Sequence, residues 1–312
     1  MGPKSAPAGT WSVSNLPYEI ICPDTTAISR PEWLKLRQQG LGGSDAAAAL
    51  GLSPWTSPVA LWYSKVDPIK DDDDNEWFEW GRRLEIPISQ AFAAKAGVQV
   101  TYLPQMLRST LHPFMLANID GFVGADAILE IKNVGQHNAH EWADGPPLHY
   151  RMQGQHYLAV TGKARVHFAA LLGGQKMITY EVERDDELIE NMIAGEEKFW
   201  TLVQLKRMPD IDGTESTTKA LKAHFAEPER EIVEVDEAFV ELVNEHRVAK
   251  TVLKIAETKV DEIENRMKMR IGDAEVAKFG DDIVATWKVQ HRVAHEVKAS
   301  TFRKLDVKRA KK

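Results

Sequence analysis

Residues 116 to 134, LANIDGFVGADAILEIKNV, place three ionisable side chains, Asp120, Glu130 and Lys132, where two short apolar strands would bring them together, and any fold the chain adopts must accommodate them. Asp120 ends an apolar run from Phe114 to Ile119 and precedes Gly121, the signal of a tight turn. Ala127 to Lys132 reads as the second of two short strands, whose period of two puts Glu130 and Lys132 on one face. A carboxylate and an ammonium on a buried strand are costly unless something neutralises or uses them. A metal bridged to Asp120 would do so, which makes Asp120, Glu130 and Lys132 one site; a strand edge carrying a salt bridge is the alternative. The Asp/Glu-x-Lys spacing discriminates little in a chain that is 27% charged, since it recurs at Glu196/Lys198, Glu257/Lys259, Glu296/Lys298 and Asp306/Lys308. Those pairs lie in polar helical or tail sequence and read as solvated charges. Only the 130/132 pair has apolar neighbours and an Asp-Gly turn upstream.

The flanking sequence predicts an α+β domain with a central mixed sheet over residues 29–210, preceded by an extended leader over 1–28 that is rich in Pro, Ser, Thr and Ala. Pro31 opens a helix that ends near Arg37. GLGGSDAAAALG then reads as a glycine turn feeding a helix N-terminus, with Ser44 or Asp45 as cap. An ordinary capped helix is one reading of it; Arg37 and Ser44 flanking free amides make a phosphate seat the other. PVALWYSK (58–65) reads as a short helix, and NEWFEWGRRLEIPISQAFAAKAG as a long amphipathic one with Trp77, Trp80, Leu84, Ile88 and Phe92 inward. Glu85 borders that face, either paired with Arg82 or delivered to the strand site. A helix over 148–163 places Tyr150, Gln153 and Tyr157 on one face, where a core stripe is the bland reading and a Gln153 amide donating to water or phosphate the sharper one. Two closing strands and a covering helix follow.

Past residue 215 the composition changes, and 215–312 reads as an appended arm: a long helix, a β-hairpin turned at Gly280 to Asp282, and a basic tail. Along the helix Leu242, Ala249, Val252, Ala256, Val260, Ile263 and Met267 form a narrow apolar stripe suited to a partner helix or a hairpin lid.

The net charge of −7 argues against nucleic-acid binding over the whole surface. Nine Lys/Arg against two Asp/Glu between 288 and 312 leave the rest of the chain strongly acidic, which suits a metal-dependent enzyme with DNA contact confined to a channel and equally a protein that never touches DNA. The single cysteine, Cys22, excludes a disulfide framework or a multi-cysteine metal site. With no apolar run of membrane-spanning length and no apolar signal core, a cytoplasmic protein is expected.

Five blocks, WLKLRQQGLGGSDAAAALGLSPW, WGRRLE, ANIDG, LEIK and YRMQGQHYLAVTG, resemble in order and spacing the signature blocks of the lambda-type phage alkaline exonucleases, the YqaJ-like viral recombinases of the PD-(D/E)xK nuclease superfamily. The resemblance spans residues 30 to 205 and implies a restriction-endonuclease-like core. It further implies a Mg²⁺-dependent exonuclease, with Mn²⁺ able to substitute, that digests one strand of duplex DNA from its 5′ end and leaves a 3′ overhang for recombination. Under it Asp120, Glu130 and the Ile131 carbonyl would hold two metal ions, and Lys132 would orient and help deprotonate the attacking water through a lowered pKa. Glu85 matches the family's helix carboxylate and Gln153 its glutamine on the following helix. Arg37 and Ser44 fall at the spacing of its 5′-phosphate pocket, while Asn118 stands where a small hydroxyl residue is usual. Phe78 matches an apolar wedge at the duplex end, with a core aromatic as the alternative; the family's minor-groove arginine has no counterpart. The expected partners are DNA ends, a single-strand annealing protein and copies of the chain in a homotrimeric ring. A structure-specific or restriction-like endonuclease, and a non-catalytic DNA-end binding or annealing protein, are the competing readings.

Overall fold

The computed structural model describes residues 16–69, 76–228 and 232–291 together with Leu305 and Val307; the side chains of residues 77 and 78 are outside that description. The start of the leader, the acidic run 71–74, most of the basic tail and the Phe78 wedge therefore lie outside the described residues. In chain order the elements are β1 (Tyr18–Cys22), α1 (Arg30–Arg37), β2 (Leu41–Gly42), α2 (Gly43–Ala49), α3 (Pro58–Val66), α4 (Glu76–Ala96), β3 (Val100–Thr101), β4 (Met106–Ser109), β5 (Met115–Ala117), β6 (Gly121–Val123) and β7 (Ala127–Val134). A 3₁₀ turn (Gln136–Trp142), α5 (Leu148–Thr161), β8 (Arg165–Leu172), β9 (Lys176–Glu183), α6 (Asp186–Gln204), α7 (Glu215–His224), α8 (Glu237–Ile271), β10 (Val276–Phe279) and β11 (Asp282–Thr286) complete them.

The apolar run of β7 is buried on both sides, as a strand covered on two faces must be. It is central in a five-stranded sheet of order β3-β6-β7-β8-β9, antiparallel to β6 and parallel to β8, with the connection to β8 running through α5. Ile128 packs with Tyr157 of α5 and with Val166 and Phe168. Leu129 and Ile131, on the opposite face, pack with Ile88 and Phe92 of α4. The architecture is thus α+β, a mixed sheet flanked by helices. Gly154 lets α5 lie close on the sheet: a Cβ there would stand 2.9 Å from Phe168 and from Val166. A second mixed sheet, β1-β4-β5-β2, precedes the first, and the chain passes from one to the other through Asn118 to Asp120.

Three expectations change. Tyr18 to Cys22 is no leader but a strand paired with β4, because Cys22 is buried beside Met106 and Leu116. The division into two compact units falls after His224 rather than at 210–215. There α7 is tied to the first unit: the Ser57 N–H donates to Ser216 Oγ (2.9 Å) and Thr217 Oγ1 to Ser57 Oγ (2.8 Å). On α4, Ile88 and Phe92 face inward as expected, but Trp80 is half exposed. The second unit comprises α8 and the β10-β11 hairpin, whose turn uses a left-handed Gly280 (φ 62°). Among the described residues no helix is long and apolar enough to cross a membrane.

His156 on α5 is fully buried between two acceptors: Nδ1 lies 3.0 Å from Glu196 Oε1 of α6, and Nε2 lies 3.0 Å from the Leu116 carbonyl of β5. Two acceptors require two ring protons, hence an imidazolium. Burial alone would lower its pKa, but the Glu196 carboxylate and both hydrogen bonds outweigh that and raise it above the usual 6.5. A raised folded-state pKa gives stability that is complete below about pH 6.5 and is lost as pH climbs through the folded value. The margin in urea midpoint by which the native chain exceeds a His156→Gln/Glu196→Gln double variant should therefore shrink as pH rises above 6.5; a margin that grows or stays flat would contradict the imidazolium.

Candidate functional site

Alternation along β7 turns Glu130 and Lys132 to the face that α5 covers, as the period of two requires. Lys132 Nζ donates to Glu130 Oε1 (2.6 Å) and to Gln153 Oε1 (3.0 Å). Gln153 Nε2 in turn donates to the same Glu130 oxygen (2.7 Å) and to Tyr157 Oη (3.2 Å). The Tyr150 ring lies 4.7 Å from the Lys132 ammonium. Gln153 therefore spends both ends of its amide on this network, and both tyrosines of the predicted stripe belong to it. Glu130 Oε2 is buried without a hydrogen-bond partner.

Asp120, one step beyond the last paired residues of β6 and β7, accepts from the Ile131 N–H at Oδ2 (2.6 Å). Burial and the neighbouring Glu130 and Glu85 hold its carboxyl well above the ordinary carboxylate range. Glu130 is also raised, by burial, with Lys132 opposing. Glu85 on α4 is pushed up to about 7, first by burial and then by the charge of Glu130, with Arg82 and Lys132 pulling the other way. Burial alone would lower the Lys132 ammonium, but Glu130 and Asp120 outweigh it and hold it raised. The lowered value expected for Lys132 supposes metal charge beside it; here two carboxylates act on it directly. Among the described residues, no group of three or more His, Cys, Asp or Glu side chains is gathered to hold a metal ion. The set at hand is smaller: two carboxylates, Asp120 and Glu130, and the main chain at Ile131.

A second cluster forms at the glycine turn. Arg37 Nη2 donates to Ser44 Oγ (3.0 Å) and to Asp45 Oδ1 (2.7 Å), and the buried Lys65 of α3 donates to Asp45 Oδ2 (2.8 Å) and to the Arg37 carbonyl (2.9 Å). Asp45 Oδ2 also accepts from the Gly42 N–H (3.0 Å), so Asp45 rather than Ser44 closes the start of α2, and Ser44 stays exposed. Burial alone would raise Asp45; Arg37 and Lys65 instead hold it far below the carboxylate range. Burial and Arg37 lower Lys65 despite Asp45. The sequence reading missed Lys65; its signal was a lone cation closing the apolar run PVALWYSKV. Asn118 stands apart from this cluster, donating from Nδ2 to the Gln105 carbonyl (3.0 Å).

A cleft of about 1900 Å³ opens over both clusters; Arg37, Asp45, Lys65, Glu85, Asp120 and Lys132 all line it, as does Asn118. Trp33, Trp55, Trp80 and Tyr102 add apolar walls. Tyr157 joins the clusters beneath the floor. Its hydroxyl meets Gln153, and its ring occupies the space where a Cβ on Gly43 would come within 2.4 Å.

The model of the YqaJ-like viral recombinase domain matches residues 32–164. The chain is 35% identical over 268 residues to the uncharacterized protein YqaJ of Bacillus subtilis (strain 168), covering 84% of each. An alkaline exonuclease from Laribacter hongkongensis superposes with a TM-score of 0.48 at 20% identity, over 56% of this chain and 93% of that one. A phage-related exonuclease from Haemophilus somnus 129PT gives a TM-score of 0.41 at 14% identity, over 55% and 97% respectively.

Removing the carboxylate that the buried Lys65 and the partly buried Arg37 share leaves the two cations facing each other. Asp45→Asn should cost about 3–5 kcal/mol of unfolding free energy in urea titration, whereas a loss below about 1 kcal/mol would mean the cluster is solvated like an ordinary surface pair.

Proposed function

The chain belongs to the YqaJ-like viral recombinase family, and from that premise we propose that it is a metal-dependent nuclease that digests linear duplex DNA from its 5′ ends, leaving 3′ single-stranded overhangs for recombination. The observation that carries this reading is the buried Glu130 carboxylate, one oxygen held by Lys132 and Gln153 and the other without a partner among the described residues, behind a large cleft lined by Asp120 and Lys132.

These residues fit a divalent cation. An unpartnered buried carboxylate oxygen, and neighbouring carboxyls that raise one another's pKa, are what hard oxygen-seeking ions such as Mg²⁺ or Mn²⁺ relieve. Asp120, Glu130 and the Ile131 carbonyl would hold two such ions, while Glu85, matched on family resemblance, adds negative charge from α4. Bound there, they would polarise the scissile phosphate and stabilise the leaving oxygen.

The chain's own groups do the rest. Lys132, fixed between Glu130 and Gln153 and backed by Tyr150, presents its ammonium to the cleft, where it orients the attacking water and the phosphate. Its proton becomes easier to lose as the charge of Glu130 and Asp120 is taken up elsewhere. Gln153 positions Lys132 and Glu130 rather than contacting substrate, because both ends of its amide are engaged. Arg37 and the exposed Ser44 form the seat for a 5′-terminal phosphate, with Lys65 adding positive charge from below and Asp45 fixing both cations. Asn118 and Phe78 are placed in the DNA path on family resemblance, as are the homotrimeric ring and the annealing partner.

Asp120→Ala and Lys132→Ala should each lower nucleotide release from end-labelled linear duplex in Mg²⁺ by about 10²–10⁴-fold, in protein that circular dichroism shows to be folded. Digestion at the native rate by either folded variant would refute the site. Labels at either end separate 5′ from 3′ attack, and closed-circular DNA that survives alongside digested linear DNA separates an exonuclease from an endonuclease. Release in EDTA would exclude the metal. Ser44→Ala should narrow the preference for 5′-phosphorylated over 5′-hydroxyl ends; an unchanged preference would remove Ser44 from the seat.

A further inference from the structure

The helix α8 runs for 35 residues and buries none of them. Most helical stability in proteins comes from packing an amphipathic face rather than from propensity, and among the described residues nothing buries such a face on α8: Leu242, Val260 and Met267 are each more than half exposed. From Phe239 the seam advances in alternating steps of three and four through Leu242, Leu253, Val260 and Ile263 to Met267. That is about four heptads, with His246 as the polar exception, and such a run is enough for a coiled coil.

We infer that this face binds α8 of a second copy of the chain, with the two helices antiparallel. Charge argues against nucleic acid here, since α8 carries seven Asp/Glu and seven Lys/Arg. Size argues for the antiparallel pair. Turned about a point between Lys254 and Ile255, the seam sets large residues on small ones: Leu253 meets Ala256 of the second copy, and Val260 meets Ala249. Met267 then meets Leu242, and His246 meets Ile263. In a parallel pair in register, Ala249 and Ala256 would each meet their own copy and leave thin layers, and His246 would face His246.

The flanking charges agree. Across the antiparallel seam Lys250 faces Glu257 of the second copy and Glu245 faces Arg266, each twice by symmetry, and no like charges meet. Glu245, Lys250 and Glu257 have no ion-pair partner among the described residues, while Arg266 reaches Glu262 of its own helix only at 4.0 Å.

Sedimentation of the full chain over a concentration series tests the pair. Lys250→Glu replaces two attractive contacts with two repulsive ones and should weaken self-association by about tenfold or more. Adding Glu257→Lys should restore it, because the swapped charges again face each other across the antiparallel seam. Helical circular dichroism of all three chains separates lost pairing from lost helix. Equal association of the native chain and Lys250→Glu would overturn the pairing. Failure of the double reversal to restore it, with the helix intact, would overturn the antiparallel arrangement.

Discussion

A carboxylate buried on the central strand of a sheet constrains everything near it. Glu130 lies between Ile128 and Lys132 on the covered face of β7, where an unpaired charge would cost several kcal/mol. The chain meets that cost with an ammonium two residues along the same face and an amide from the helix above, both within hydrogen-bond distance of one oxygen. The other oxygen has no hydrogen-bond partner among the described residues. An unpartnered oxygen does not mark a ligand position by itself, since Glu196 Oε2 beside His156 is in the same state; at Glu130 it comes together with the neighbouring Asp120 carboxyl, which lines the cleft.

The helix that supplies the amide also holds the two clusters of the cleft in fixed relation. Gln153 reaches Glu130, Tyr157 fills the space left by Gly43, and His156 takes the carbonyl of β5 just before the chain turns toward Asp120. One rigid element therefore touches the acid pair, the glycine turn and the strand leading to Asp120. Displacing α5 would disturb the proposed cation site and the proposed phosphate seat together, and their spacing sets how far into the cleft a strand end can reach.

Much of this was legible in the sequence because it is local. The strands around 116–134, the helix at 148–163 and the paired closing strands follow from periodicity and turn residues, and Glu130 with Lys132 shares a face by arithmetic alone. What was not legible depends on partners far along the chain. Lys65 looked like the polar end of a helix until Asp45, twenty residues earlier, was beside it. His156 and Glu196 read as helical background because neither has a signal of its own; burial between α5, α6 and β5 gives them their charge states. Trp80 fitted an inward helical face, yet it lines the cleft, since periodicity identifies an apolar stripe without saying whether protein or ligand covers it.

The cleft also explains how an acidic chain could accept a polyanion. Arg37 and Lys65 share one carboxylate at the glycine turn, while Glu130 and Asp120 act on one ammonium at the strand. As the proposed phosphate seat, the first cluster would attract an anion without help. The second repels one until its carboxylates are neutralised, whether by protons, which their raised pKa values favour, or by divalent cations. Under the function proposed above, a DNA end would be drawn first to Arg37, and the strand site would act on it with cations held there, an order that the placement of charge favours.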